Sequence, residues 1–104
     1  MEPDEFIRAY YDAINRREYS LSWYMLSTNF KNKHNASGYD PYVAWWDSIE
    51  RVEVLSAQIQ DQSEDTAILL VKIRYTYKTG RAVDDNASFQ LIKSSWEYGW
   101  LIDT

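Results

Sequence analysis

The stretch Phe6–Phe30, FIRAYYDAINRREYSLSWYMLSTNF, decides the fold. Within it Phe6, Ile7, Tyr10, Tyr11 and Ile14 recur at steps of three and four, which lines them along one broad apolar stripe of a helix, with Ala9 and Ala13 beside it. Arg8, Asp12, Asn15 and Arg16 fall largely outside that stripe. Upstream, Pro3 suits a first helical position, where its missing N–H costs nothing, and Asp4 and Glu5 place negative charge beside the positive end of the helix. Arg16 and Arg17 are the cations that a last turn favours, so the pattern predicts a helix ending near Arg17. A second start follows at once. Ser20 reads as its cap, Tyr19 and Tyr24 are spaced as a hydrophobic staple, and Leu21, Tyr24, Met25 and Leu26 supply an apolar side. Ser27, Thr28 and Asn29 compete with the helical backbone for hydrogen bonds and read as its end. Two consecutive apolar helices need a shared surface to cover, and the rest of the chain has to provide it.

Lys31 to Tyr39 carries almost nothing apolar and reads as a surface loop, with His34, the only histidine, as a solvated member of it. Asp40 followed by Pro41 is a third helix start, cap then first helical position, and Tyr42, Val43, Ala44, Trp45, Trp46 and Ile49 make a short, very apolar helix. Neighbouring side chains on a helix point about 100° apart, so one of Trp45 and Trp46 enters the core while the other covers an edge or a cavity rim. The sequence does not say which.

From Glu50 the period becomes that of a strand. Val52 and Val54 share one parity and Ala57 and Ile59 the other, which a β-bulge near Leu55 reconciles. Asp61 to Asp65 is a polar turn. Thr66 to Tyr77 is the strongest strand, with Ala67, Leu69, Val71, Ile73, Tyr75 and Tyr77 on one face and Lys72, Arg74 and Thr76 on the other. Ile68 and Leu70 also lie on that second face, so the start of this strand is apolar on both sides and asks for cover from more than one layer. After a turn at Lys78–Gly80, Arg81 to Lys93 returns with Ala87, Phe89 and Leu91 inward. Asp84 and Asp85 interrupt this run, and as adjacent strand residues they point to opposite faces. Trp100, Leu101 and Ile102 close the chain. The fold class is α+β: N-terminal helices packed on an antiparallel meander of about four strands, in a single domain over residues 1–104.

Composition narrows the function without naming it. A formal charge of −5, from 16 acids against 11 Lys and Arg, argues against a surface that tracks phosphates, so nucleic acid is not an expected partner. The absence of Cys removes disulfide frameworks and thiol chemistry, and no metal-ligating pattern and no cofactor motif is present. No secretion signal or apolar run of membrane-spanning length occurs in the chain, and the compartment is left open. Aromatics reach 16%, nine of them Tyr, whose apolar bodies and hydroxyl tips suit a partly polar cavity or interface as well as a core.

The order of elements resembles the NTF2-like, or SnoaL-like, superfamily. The likeness covers nearly the whole chain and is carried by FIRAYYDAINRREY at 6–19, LSWYMLS at 21–27, FK at 30–31, GYDPYVAWWDSIERVEV at 38–54 and GWLID at 99–103. More narrowly, these segments look like a small domain at the C-terminal end of some bacterial serine/threonine kinases, which implies a piece of a larger protein. The resemblance implies a cone of curved sheet around the helices with a pocket at its open end. Enzymes of the superfamily, the isomerase and dehydratase types, place Asp or His inside that cone, whereas the inward strand positions here, Leu69, Val71, Ile73, Tyr75, Tyr77, Phe89 and Leu91, hold neither.

Two readings of function follow. In the first the chain is a non-catalytic accessory or sensor domain that binds a small apolar ligand or a protein partner through the cone, with Tyr10, Trp46, Tyr75, Tyr77 and Trp100 as the lining, and regulates an attached kinase. In the second it is a small proton-transfer enzyme in which Asp12, Asp47 or Asp84 turns toward the pocket and works with a Tyr. Pairing of two copies through the sheet face that carries Ile68 and Leu70 is compatible with the first.

Overall fold

Pro3–Asn15 forms the first helix, α1, in the computed structural model, which describes residues 1–104. At its start the Glu5 carboxylate accepts the backbone N–H of Glu2 at 3.0 Å. Its end is a Schellman closure: the Glu18 N–H reaches the Ala13 carbonyl at 2.9 Å and the Arg17 N–H the Ile14 carbonyl at 3.0 Å. The geometry requires a left-handed residue after the cap, and Arg17 takes it with φ 61°. The helix therefore stops at Asn15 rather than at Arg17.

Three short helices follow: α2 (Tyr19–Tyr24), α3 (Thr28–His34) and α4 (Tyr39–Asp47). Helix α2 begins after Glu18, which leaves Ser20 inside the helix instead of capping it. Helix α3 replaces the expected loop. Ser27, read as a stop, is its N-cap: the Ser27 hydroxyl oxygen accepts the Phe30 N–H at 3.0 Å and its O–H donates to the Asp103 carboxylate at 2.7 Å. The Ser27 N–H also donates to the Ile102 carbonyl at 2.9 Å, so the C-terminal strand anchors the start of α3 from the far end of the chain. Thr28, Asn29, Asn32 and His34 are weak helix formers, and this tertiary anchor together with the packing of Phe30 overrides them. Helix α4 starts at Tyr39, after Gly38 at φ 97°, so Asp40 and Pro41 lie within its first turn.

The strands β1 (Ile49–Gln62), β2 (Thr66–Tyr77), β3 (Ala82–Lys93) and β4 (Trp100–Ile102) form one antiparallel sheet in sequence order. The β1–β2 ladder slips between Val54 and Ser56, which is the bulge that the parity change at Leu55 demanded, and it slips again near Glu50 and near Gln60. Repeated bulges bend and twist a strand, and here they curl the sheet over the helices. Its inner face carries the rows Val54–Ile73–Asp85, Ala57–Val71–Ala87 and Ile59–Leu69–Phe89. Phe6, Ile7, Tyr10, Tyr11 and Ile14 of α1 are all buried, in one core cluster with Leu69, Val71 and Ile73.

Helix α1 also serves the edge of the sheet. The Asn15 side-chain amide donates to the Val52 carbonyl at 2.7 Å and accepts the Val52 N–H at 2.9 Å, while Arg8 donates to the Val54 carbonyl at 3.3 Å. Backbone groups of an edge strand that would stand open to another chain are satisfied internally.

Arg17 ties the helical corner together. Its guanidinium donates to the carbonyls of Trp46 at 3.2 Å and Glu50 at 3.0 Å and to the Tyr19 hydroxyl at 3.1 Å, and that hydroxyl donates to Asp47 at 2.6 Å. Arg17→Ala removes these bonds while keeping the backbone cost of a left-handed residue, and is expected to destabilise by roughly 1–3 kcal/mol. Arg17→Gly loses the same bonds but relieves the backbone, so chemical denaturation should find it about 1 kcal/mol more stable than Arg17→Ala. A glycine variant no better than the alanine variant contradicts the strained-corner account.

Candidate functional site

The inner face of the sheet, α1, α3 and α4 enclose an open cavity of about 440 Å³. Helix α1 contributes Tyr10 and Tyr11, since these two adjacent rings straddle the edge of its buried stripe. Phe30 and His34 come from α3, and the segment Asn35–Gly38 forms a polar lip. Helix α4 brings Pro41, Tyr42, Trp45 and Trp46, and the sheet closes the floor with Tyr75, Phe89 and Ile102. No Lys, Arg, Asp or Glu lines the space.

The choice between the two tryptophans is settled by burial. Trp46 is 7% exposed and Trp45 50%, so Trp46 is the inner ring and Trp45 stands at the rim. The two meet edge-on at 4.6 Å between centroids, Trp45 and Trp46 approach Tyr75 at 6.1 and 6.2 Å, and Tyr11 meets Trp46 at 6.1 Å. These contacts lie in the range where aromatic pairs contribute beyond area burial.

Behind the rings runs a chain of hydroxyls. Tyr10 and Tyr42 share a hydrogen bond of 2.9 Å, Tyr42 and Ser22 one of 2.7 Å, and Ser22 donates to the Tyr19 carbonyl at 3.1 Å. Ser22 is fully buried, and each member of this chain has a partner. Burial pushes the Tyr42 phenol up to about 12, against the opposing pull of its bonds to Ser22 and Tyr10. Burial, reinforced by the neighbouring Tyr42, carries Tyr10 well above the ordinary phenol range, and burial with the nearby Tyr75 does the same for Tyr11. Tyr75 is raised by burial and then by the charge of Asp85. The cavity thus presents neutral phenols.

Of the five lining residues expected from the sequence, the structure brings Tyr10, Trp46 and Tyr75 to one cavity and leaves two outside it. Tyr77 sits at the end of β2 opposite Ile49. Trp100 is almost wholly buried in the core, its Nε1–H donating to the Met1 carbonyl at 3.0 Å, and packs instead of lining. The three candidate carboxylates also lie elsewhere. Asp12 is exposed on α1, Asp47 accepts the Tyr19 hydroxyl, and Asp84 holds Arg74 through two bonds of 2.7 and 3.0 Å on the outer face. Asp85, not Asp84, is the acid on the inner face. Tyr11, Tyr42, Phe30 and His34 are lining residues that the sequence did not single out, and Trp45 is the tryptophan at the rim. For His34 the signal was the Phe30–His34 spacing of four, which on a helix sets the two rings together; they meet at 4.6 Å with their planes tilted by 46°.

No family model matches the chain. Its sequence is 32% identical over 103 residues to a serine/threonine-protein kinase, PknA, of Nostoc, a match that spans 96% of this chain and 18% of that kinase. Its structure superposes on a SEC-C motif-containing protein of Rhodopseudomonas palustris with TM-score 0.73 at 13% identity, over 98% of this chain and 75% of that one. It also superposes on a Xanthomonas campestris protein described as a candidate calcium/calmodulin-dependent protein kinase II association domain, with TM-score 0.58 at 11% identity, over 92% and 76%. The two structural likenesses are of fold. The sequence likeness is to a minor part of a kinase.

The phenols make alkaline stability a test of this site. Their protons are held more tightly in the fold than in the unfolded chain, where a phenol ionises near 10. Stability from this source is full below about pH 10, and it is lost as pH rises toward 12, because the unfolded chain releases protons that the native state keeps. Tyr42→Phe leaves the Tyr10 hydroxyl without its partner and is expected to cost roughly 1–3 kcal/mol at neutral pH, and to flatten the alkaline decline. Denaturant titrations at neutral and alkaline pH, followed by circular dichroism, check both; an unchanged alkaline slope in the variant contradicts the assignment.

Proposed function

We propose that this chain is a non-catalytic accessory domain of a larger protein, of NTF2-like architecture over residues 1–104, that senses a small, largely apolar ligand through its aromatic cavity. The cavity itself carries the reading. A hollow of about 440 Å³ falls within the size of pockets that take small molecules, and its wall combines ring surfaces with a few hydroxyls that orient a ligand. Tyr10, Trp46 and Tyr75 are the proposed contacts, joined by Tyr11, Tyr42 and Trp45; Tyr77 and Trp100 serve packing in this reading.

An attached kinase as the regulated partner is supported by the likeness to a kinase segment. The chain contains no Gly-rich phosphate loop, no His-Arg-Asp and no Asp-Phe-Gly, so the shared segment carries none of the parts that transfer phosphate. Kinase chemistry in such a protein is therefore assigned to other parts, and an accessory role to this one. The reading does not draw on proton-transfer catalysis, because Asp12, Asp47 and Asp84 all stand off the cavity wall. It rests on the cavity and not on the outer sheet face, where Ile68 and Leu70, 38% and 43% exposed, stand among Asp61, Gln58, Ser88 and Gln90.

Binding of an environment-sensitive apolar dye tests the proposal. The wild-type chain is expected to enhance dye emission at one site per molecule. Ala36→Trp, which places a bulky ring on the exposed lip of the cavity, should abolish that enhancement while leaving stability within about 0.5 kcal/mol. Dye binding that survives the substitution undiminished contradicts the site.

A further inference from the structure

We infer that the cavity prefers a cationic organic ligand, of the alkylammonium class, over neutral and anionic molecules of the same shape; this deepens the ligand-binding reading above and rests on it. Three independent features converge. The first is the wall: Tyr11, Trp45, Trp46 and Tyr75 cluster with centroids 4.6 to 6.2 Å apart, and Tyr10 adjoins them at 5.0 Å. Trp and Tyr faces attract a cation through the ring quadrupole, and do so more strongly where water is thinned. This chain already uses its rings so, with the Lys31 ammonium 4.8 Å from the Trp23 centroid and the Lys93 ammonium 4.6 Å from that of Trp100.

The second feature is the absence of any Lys or Arg from the cavity wall, whose one imidazole, His34, stands at the rim. An anion entering the space gives up its hydration and meets no fixed positive charge. The third is Asp85. It stands opposite Ile73 on the inner face, and its charge is felt by the phenols of Tyr11 and Tyr75, which it helps to keep protonated. A field that opposes a phenolate at those positions opposes any anion there and favours a cation. The net charge of −5 adds attraction at longer range. A methylated ammonium suits the site better than a bare one, because its charge is weakly hydrated and its methyl groups are apolar, so the cost of leaving water is small against the ring surface it gains.

Three soluble probes of matched shape decide the matter: choline, the alcohol in which its ammonium nitrogen is replaced by carbon, and the carboxylate built on the same branched carbon skeleton. Each is titrated against the wild-type chain while tryptophan emission is followed. Choline is expected to bind about tenfold more tightly than the alcohol, and the carboxylate more weakly than either. Asp85→Asn and, separately, Trp45→Leu should each lower the choline-to-alcohol ratio several-fold; both positions are solvent-exposed, so the fold tolerates the changes. Equal affinities for choline and the alcohol overturn the charge preference while leaving the cavity a binding site. No response to any of the three overturns the ligand reading and this inference together.

Discussion

Burial of one helical stripe against a curled sheet is the constraint on which the structure depends. Phe6, Ile7, Tyr10, Tyr11 and Ile14 cannot be covered by a flat surface, because they spread over a broad arc of α1. The sheet meets them by bending, and it bends where β1 slips against β2 at its bulges. Each large apolar side chain so buried contributes on the order of 1.5–3 kcal/mol, which makes this contact a major source of stability in a small chain. Asn15 shows how closely the two are joined, for its side chain acts as one more rung on the free edge of β1.

The same curvature creates the cavity. Helix α1 occupies the part of the concave face nearest β1, and the remaining concavity is shared by α3 and α4, which supply rings in place of a third layer. Rings with polar tips are suited to this position. Their bodies extend the core, while Tyr10, Tyr42 and Ser22 pair their hydroxyls with one another and so avoid the cost of unpaired buried groups. The network ties α1, α2 and α4 together on one side of the cavity. The lip at Asn35–Gly38 is polar and largely exposed, and no such network holds it.

Local pattern carried the reading of α1 and of the strands, because periodicity survives whatever else the chain does. The bulge at Leu55 was visible as a change of parity, and the inward faces of β2 and β3 as alternation. What local pattern missed depended on distant partners. Helix α3 was hidden because Ser27 is capped and held by Asp103 and Ile102, far along the chain, and with it went the positions of Phe30 and His34. The same holds for Trp100, an aromatic at an inward strand position that could equally have faced the hollow: its place in the core is set by the N-terminal carbonyl it binds. Asp85 shares the parity of Ala87, Phe89 and Leu91, so its inner-face position was legible in the alternation of β3, and Asp84, the acid offered as a catalytic candidate, falls on the outer face.

In the function proposed for this chain, the hollow beneath α3 and α4 is a receptive site distinct from the packed core. The most direct measurement follows the isotope-labelled indole N–H resonances of the tryptophans while a soluble alkylammonium or apolar probe is added. Concentration-dependent shifts are expected at Trp45 and Trp46, with the Trp100 signal stationary because its N–H donates to the Met1 carbonyl, away from the cavity wall. Shifts at Trp100 equal to those at Trp46, or no movement at Trp45 and Trp46 at saturating probe, would contradict that function.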